Sequence, residues 1–245
     1  MAIVKDRGFI LRTFDFRETS KIAHIFTKRL GKVHGLLKGF RRGKKEFTTS
    51  LDLFSLNEFI FYQSRNPLWL VSSADMIYNF PYLRENLEKN LIANYIVEFI
   101  DKISPLNFPS SEIYSLIKES LLFLREDYSR KILYIFQIKA LQFSGFKPSL
   151  ISCIKCNREI INKGYFSVKL GGLLCSECLR YDKFSKEISE ELILSLKYIQ
   201  KNDFKKALRI KLKESRETEL IEILEEFISY HLDTKIKSLY SLKNF

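Results

Sequence analysis

Short runs of β-branched and aromatic residues, broken by turn residues, fill the chain up to about residue 80. Ile3 to Arg12 is rich in β-formers, and Lys21 to Thr27 and Val33 to Lys38 flank a Lys28-Arg29-Leu30-Gly31-Lys32 turn, which is a hairpin pattern. Leu53 to Tyr62 is a further run, ended by Ser64-Arg65-Asn66-Pro67, after which Leu68-Trp69-Leu70-Val71 opens another. Five strands in so short a stretch predict a small closed barrel, and the five-stranded barrel known for gripping single-stranded nucleic acid is the OB-fold. Phe9, Phe14, Phe16 and Phe26 are expected in its core.

From Pro81 the period changes. Leu83, Leu87, Leu91, Tyr95 and Phe99, with Ile92 and Ile96 beside them, recur at helical spacing up to a break at Ser104-Pro105. A second helix is expected over 111–126, with Ser110 as a natural N-cap. A third, over 129–143, is apolar nearly all round (Ile132, Leu133, Ile135, Phe136, Ile138, Leu141), so it should be buried. It stops at Gly145-Phe146-Lys147-Pro148, a Gly-then-Pro terminator. After a cysteine-bearing stretch, 188–199, 204–212 and 217–232 read as helices. The expected class is α+β and multidomain: a five-stranded OB-fold barrel at 1–80, then a helical domain at 81–245.

The cysteines add an insertion at about 150–182. The chain has four, and they fall as Cys153-Ile154-Lys155-Cys156 and Cys175-Ser176-Glu177-Cys178. Two C-x-x-C knuckles at this separation read as a four-thiolate zinc site. Zinc takes four soft ligands at tetrahedral corners, and four thiolates leave no open position, so the expected Zn²⁺, one per chain, holds structure and does not activate water. Buried free thiols, a redox pair or disulfides would use the same residues. None of these explains why every cysteine sits in one pattern. Gly171-Gly172 precedes the second knuckle, where the chain must turn.

Charge locates the second candidate site. The 245-residue chain carries a net +12, and through Lys45 there are thirteen Lys or Arg against three acids (Asp6, Asp15, Glu18), a net +10 that leaves +2 for the rest. Lys28, Arg29, Lys32, Lys38, Arg41, Arg42, Lys44 and Lys45 occur with no acid among them. Lys and Arg replace phosphate counterions and flat rings stack unpaired bases, so this stretch, bracketed by Phe40 and Phe47, is the candidate DNA-binding surface. A solvated loop that aids solubility is the plainer alternative.

Other motifs fall short. Gly39 to Lys45 lacks one spacer of a phosphate loop, and Lys45 sits where the magnesium-binding hydroxyl belongs. His24, His34 and His231 accompany no metal or nucleophile motif and are read as structural. Asp52, Glu58, Glu225 and Glu226 are read as solvated charges. No catalytic residue is assigned, and the chain is not expected to be an enzyme. Met1 to Lys5 shows no signal-peptide pattern and no apolar run is long enough to span a bilayer, so a cytoplasmic protein without membrane contact is expected.

The order of basic barrel, helical bundle and inserted knuckles resembles the RecO family of bacterial recombination mediators. The similar pieces are 11–18, 25–33 with Lys38 to Arg42 behind it, Gly145 to Pro148 leading to Cys153, Gly171 to Cys175, and the ending from Tyr230 through Leu239; together they touch nearly the whole chain. The resemblance implies a nucleoid-associated protein that binds single- and double-stranded DNA and anneals complementary strands. It also implies work with RecR, and often RecF, to load RecA onto DNA coated by single-strand-binding protein. Family members dock the acidic C-terminal tail of that coating protein in the helical domain; Arg125, Arg130 and Lys139 lie in the right region but match no family motif. A zinc-stabilised RNA-binding or transcription-associated module shares the barrel, charge and metal signals and is the rival reading.

Overall fold

The structure is a computed structural model that describes residues 3–40, 51–63, 67–126, 129–160, 163–232 and 236–243. It divides into two compact units, Met1–Asp127 with Ile236–Phe245, and Tyr128–Lys235.

The first unit is built on a closed five-stranded barrel of order β1-β2-β3-β5-β4. Its strands are β1 (Ile3–Phe16), β2 (Ser20–Thr27), β3 (Gly31–Leu37), β4 (Leu56–Tyr62) and β5 (Trp69–Tyr78). β1 runs beyond Arg12 because a bulge between Ile10 and Arg12 bends it, so that one end pairs with β4 and the other with β2. A short parallel pairing, Gly35 with Trp69 and Leu36 with Leu70, closes the barrel. Gly35 is needed there, since a Cβ would lie 2.7 Å from the Val71 side chain. Ile10, Ala23, Ile25, Val33, Leu37, Phe59, Phe61, Val71 and Ala74 fill the interior.

Side chains alternate across a strand, so the residues between these point outward. Phe9 is buried on the outer face, its ring 5.2 Å from Tyr114. Phe26, opposite Phe9 in register, is buried on that same face. Phe14 and Phe16 are half-buried. None of the four phenylalanines is in the barrel interior, which corrects the expectation: Phe9 and Phe26 are buried because helices cover their part of the outer face, while Phe14 and Phe16 lie on a part that stays half-open.

These helices are α1 (Tyr82–Glu85), α2 (Leu87–Ile103) and α3 (Ser111–Phe123). The expected first helix is interrupted at Asn86, whose backbone is extended and whose side chain accepts from Lys89 N at 3.0 Å, restarting the helix as α2. A last short helix, α8 (Lys237–Lys243), packs on α2. The Glu98 carboxylate caps it by accepting from Lys237 N and Ser238 N at 2.9 and 2.8 Å.

The second unit centres on α4 (Ser129–Phe143), buried on nearly every side from Ile132 to Leu141, as its all-round apolar sequence predicts. Against it pack α5 (Glu190–Lys201) and α7 (Glu214–His231). A three-stranded sheet of order β7-β6-β8 comprises β6 (Lys163–Ser167), β7 (Gly172–Leu174) and β8 (Lys186–Ser189). Where a helix over 204–212 was expected, only one turn forms, α6 (Phe204–Ala207), capped by Asp203. Among the described residues, no helix is long and apolar enough to cross a membrane.

Candidate nucleic-acid surface and metal centre

The cysteine knuckles are shaped by their own backbone. In the first, Asn157 N donates to Cys153 O at 2.8 Å with Asn157 in the left-handed region (φ 57°), and Cys153 N donates to Arg158 O. In the second, Cys178 N donates to Cys175 O at 3.0 Å as a short 3-10 helix, Ser176–Tyr181, begins. The β6–β7 turn delivers Cys175. Gly171 takes φ 78°, and Gly172 lies so close to Ser149 that a Cβ would sit 2.5 Å from its carbonyl oxygen. Ile154 N donates to Leu173 O at 2.9 Å, tying the first knuckle to β7, and Arg158 pairs with Glu177 across the two.

All four cysteines are free thiols, and their sulfurs lie within 4.8 Å of one another, Cys156 and Cys175 at 3.7 Å. Tetrahedral coordination at about 2.3 Å per bond would separate sulfurs by about 3.8 Å, so the cluster can hold a metal ion. Burial pushes the Cys153 thiol up, but backbone N–H groups from Cys175, Cys156 and Lys155 hold it down at about 6. Burial and the surrounding thiols push Cys178 up to about 12. Four sulfurs this close cannot all ionise without a cation between them.

On the barrel, Lys28 and Arg29 are exposed at the β2–β3 tip. Asp6, buried under that tip, fixes it: one carboxylate oxygen accepts from Arg29 N at 2.8 Å and Leu30 N at 3.2 Å, the other from Arg7 N at 2.8 Å. Thr27 Oγ1 accepts from Leu30 N and donates to Gly31 O. Asp6 entered the sequence reading only as a charge to subtract. Lys38 is also exposed, beside a groove lined by Phe16, Arg17 and Leu36.

Lys32 behaves differently. It lies on the same face of β3 as His34, and α2 covers that face. Lys32 is buried, its Nζ donating to Asp101 O at 2.5 Å and lying 3.8 Å from the Asp101 carboxylate. Burial pulls its ammonium below the ordinary lysine range, against the pull of Asp101. It is therefore directed inward, away from the solvent-facing cations. His24 and His34, opposite one another in register, stack at 3.8 Å. Since a carboxylate only accepts, His24 Nδ1 is protonated and donates to Asp101 Oδ1 at 2.8 Å. His231 Nε2 donates to Val168 O at 2.7 Å.

Arg41, Arg42, Lys44, Lys45 and Phe47 lie outside the described residues. Phe40 packs partly against the barrel core, with Lys21 Nζ 5.9 Å from its ring centre. Asp52 pairs with Arg84, Glu58 with Lys5 and Arg7, and Glu226 with Lys186; Glu225 is buried, not solvated as its sequence context suggested. Arg130 is paired with Glu214, and Lys139 is buried with its Nζ donating to Gln200 O.

Comparison with known proteins agrees along the whole chain. The family model "Recombination protein O N terminal" matches residues 1–80, and "Recombination protein O C terminal" matches 84–240. The DNA repair protein RecO of Alkaliphilus metalliredigens is 29% identical over 233 residues, covering 94% of each chain. That of Caldicellulosiruptor saccharolyticus is 29% identical over 240 residues, 98% of this chain and 97% of its own. That of Acetivibrio thermocellus is 29% identical over 245, 99% and 97%. With these two family models matching residues 1–80 and 84–240, the chain belongs to the RecO family of DNA repair proteins.

Proposed function

We propose that the protein is a non-enzymatic DNA-binding recombination mediator, which binds single- and double-stranded DNA, anneals complementary strands and helps load RecA onto DNA coated by single-strand-binding protein. The observation that carries this is the β2–β3 tip, where Lys28 and Arg29 are held exposed by a backbone locked onto buried Asp6. Cations on a fixed frame neutralise phosphates without reading bases, which lowers the repulsion between two strands and leaves their bases free to pair. Lys38, Arg41, Arg42, Lys44 and Lys45 also take phosphates in this reading, whereas Lys32 is buried between β3 and α2.

The ion at Cys153, Cys156, Cys175 and Cys178 is Zn²⁺, because a closed four-thiolate tetrahedral set suits zinc and leaves no position for substrate. When bound, it clamps the two knuckles together. The residues around it orient the thiolates, and none is poised for proton transfer to a substrate. RecR, in many relatives together with RecF, and the acidic tail of single-strand-binding protein are the partners in this reading. Residues 1–80 serve as the DNA-binding domain of a protein that works in the bacterial cytoplasm at the nucleoid.

The test is annealing of two complementary oligonucleotides, bare and then coated with single-strand-binding protein, at low and high salt. Faster annealing of coated strands supports a mediator, since a merely basic protein should stall on them. Binding without annealing, and with preference for structured RNA, would move the assignment to an RNA-binding module.

A further inference from the structure

Beside the cationic tip the barrel opens into a cleft of about 380 Å³, within the range of about 300–1,000 Å³ usual for small-ligand sites. Three separate segments line it: Arg29 from the β2–β3 tip, Gln63, Leu68 and Trp69 from around the β4–β5 connection, and Asn107 and Pro109 from the stretch after α2. In five-stranded barrels of this type the face of strands 2 and 3 commonly receives nucleic acid. Here part of that face, at His24 and Lys32, is occupied by Asp101 of α2.

The cleft walls are fixed in advance. Asn107 adopts φ 57° and donates its backbone N–H to Lys32 O at 2.8 Å, while its side-chain oxygen accepts from Trp69 Nε1 at 3.1 Å. The indole is thus pinned at its polar edge, and its ring meets Phe61 edge-on at 6.1 Å. The Phe108 carbonyl lies where a Cβ on Gly31 would fall, 2.2 Å away, so the tip and this stretch are packed directly together. The Phe108 ring between them in sequence is 66% exposed.

The chemistry of the lining is selective. Among the described residues it holds a flat indole, the apolar surfaces of Leu68 and Pro109, two side-chain amides and one guanidinium, with no acid. An aromatic plane takes the face of an unstacked base, amides bond to base edges, and an arginine at the rim takes the neighbouring phosphate. We propose that this cleft binds one unpaired nucleobase of single-stranded DNA, with Trp69 as the stacking wall, Gln63 and Asn107 at the base edge and Arg29 on the adjoining phosphate. The proposal rests on the DNA-binding reading above and adds a base-holding site, built partly from the segment after α2, to a surface that otherwise contacts only backbone.

Trp69 is the single tryptophan of the chain, so the full protein carries its own reporter. Oligothymidylate and an abasic strand of the same length, each with a fluorescent end label, would be titrated with binding followed by label anisotropy and Trp69 emission followed separately. The proposal expects both strands to bind, oligothymidylate about five- to 150-fold more tightly, as one stacked base is worth. Only oligothymidylate should change Trp69 emission, and a bromodeoxyuridine strand should photo-cross-link to peptides containing 67–69 or 107–109. Binding of oligothymidylate with unchanged emission, or equal emission changes with both strands, would overturn the cleft assignment and leave DNA binding intact. Cross-links confined to other segments would overturn it equally. Failure of both strands to bind at all would overturn the DNA-binding reading, and this one with it.

Discussion

The Asp101 carboxylate of α2 accepts a hydrogen bond from His24 Nδ1 of β2 at 2.8 Å, and through it the barrel is joined to its covering helix by charge as well as by apolar packing. Lys32 and Arg12 face the same carboxylate, and His34 stacks on His24. Burial alone would raise the Asp101 carboxyl, but the His24 hydrogen bond and the charges of His24, Lys32 and Arg12 hold it below the ordinary range. Removing one partner of a buried pair leaves the others uncompensated, so Asp101→Ala should destabilise the first unit by about 3 kcal/mol. Thermal unfolding measures it, and an unchanged melting temperature would show that this hydrogen bond is dispensable.

The same cluster sets a pH dependence. Burial, followed by the charges of His24 and Lys32, lowers the His34 imidazole below its ordinary value despite the opposing charge of Asp101. A base with a depressed folded pKa prefers to be neutral in the folded state, so its contribution to stability is present above the unfolded pKa and is lost as pH falls. Asp101, also depressed, loses its contribution only at lower pH, as pH drops through its folded value. Between about pH 7 and pH 5 the loss should therefore come from His34. His34→Phe, which keeps a ring against His24, should flatten the fall in melting temperature over that window. An equal fall in both proteins would assign the pH dependence to other groups.

Lys28 and Arg29 should behave unlike Lys32 although they share one turn. Alanine at both exposed positions should reduce the salt slope of single-strand binding by about 0.7 for each phosphate no longer neutralised, with little change in stability. Lys32→Ala should do the reverse, lowering the melting temperature while leaving the slope nearly intact. If Lys32→Ala changed the slope as much as the other pair, its inward direction would not hold in solution.

That contrast marks what the sequence could and could not convey. The strands were legible because β-formers and turn residues alternate at the right intervals, and α4 because it is apolar on all sides. The cysteine cluster was legible because ligand spacing is itself local. Burial of Lys32 was not, since a run of cations looks the same whether a helix 69 residues away covers one of them or none. The outward-facing phenylalanines were misplaced for the same reason: alternation gives two faces but does not say that both are covered. Glu98 capping α8 from 139 residues away leaves no local trace, so α7 and α8 read as one ending. The Trp69 cleft was equally hidden, being made of three segments that only the fold brings together.

The four-cysteine cluster can be tested separately from DNA binding. Cys175→Ser should lose close to the whole metal content and lower thermal stability, because binding energy on the order of 10 kcal/mol is coupled to folding of such an element. Any variant that still folds should keep most of its affinity for DNA. Metal analysis of the purified protein should find close to one zinc per chain. Normal melting in a metal-free sample would remove the structural role, and a large loss of DNA affinity in a folded variant would mean that the knuckles take part in binding.

Gly31 offers the sharpest test of how the tip is held. Its φ of 71° is one that other residues seldom adopt, and the Phe108 carbonyl oxygen would lie 2.2 Å from an added Cβ. Conformational strain of this kind costs about 1–3 kcal/mol before any steric displacement is counted. Gly31→Ala should therefore lower stability by at least that much, push the Asn107 stretch away from the tip and disturb the hydrogen bond between Asn107 and Trp69. Trp69 emission in the free protein should shift toward that of a more solvated indole, and affinity for single strands should fall although no cation has been removed. A variant that melts normally with unchanged emission would show that the tip and the Asn107 stretch part easily, and the preorganised cleft would then lose its physical basis.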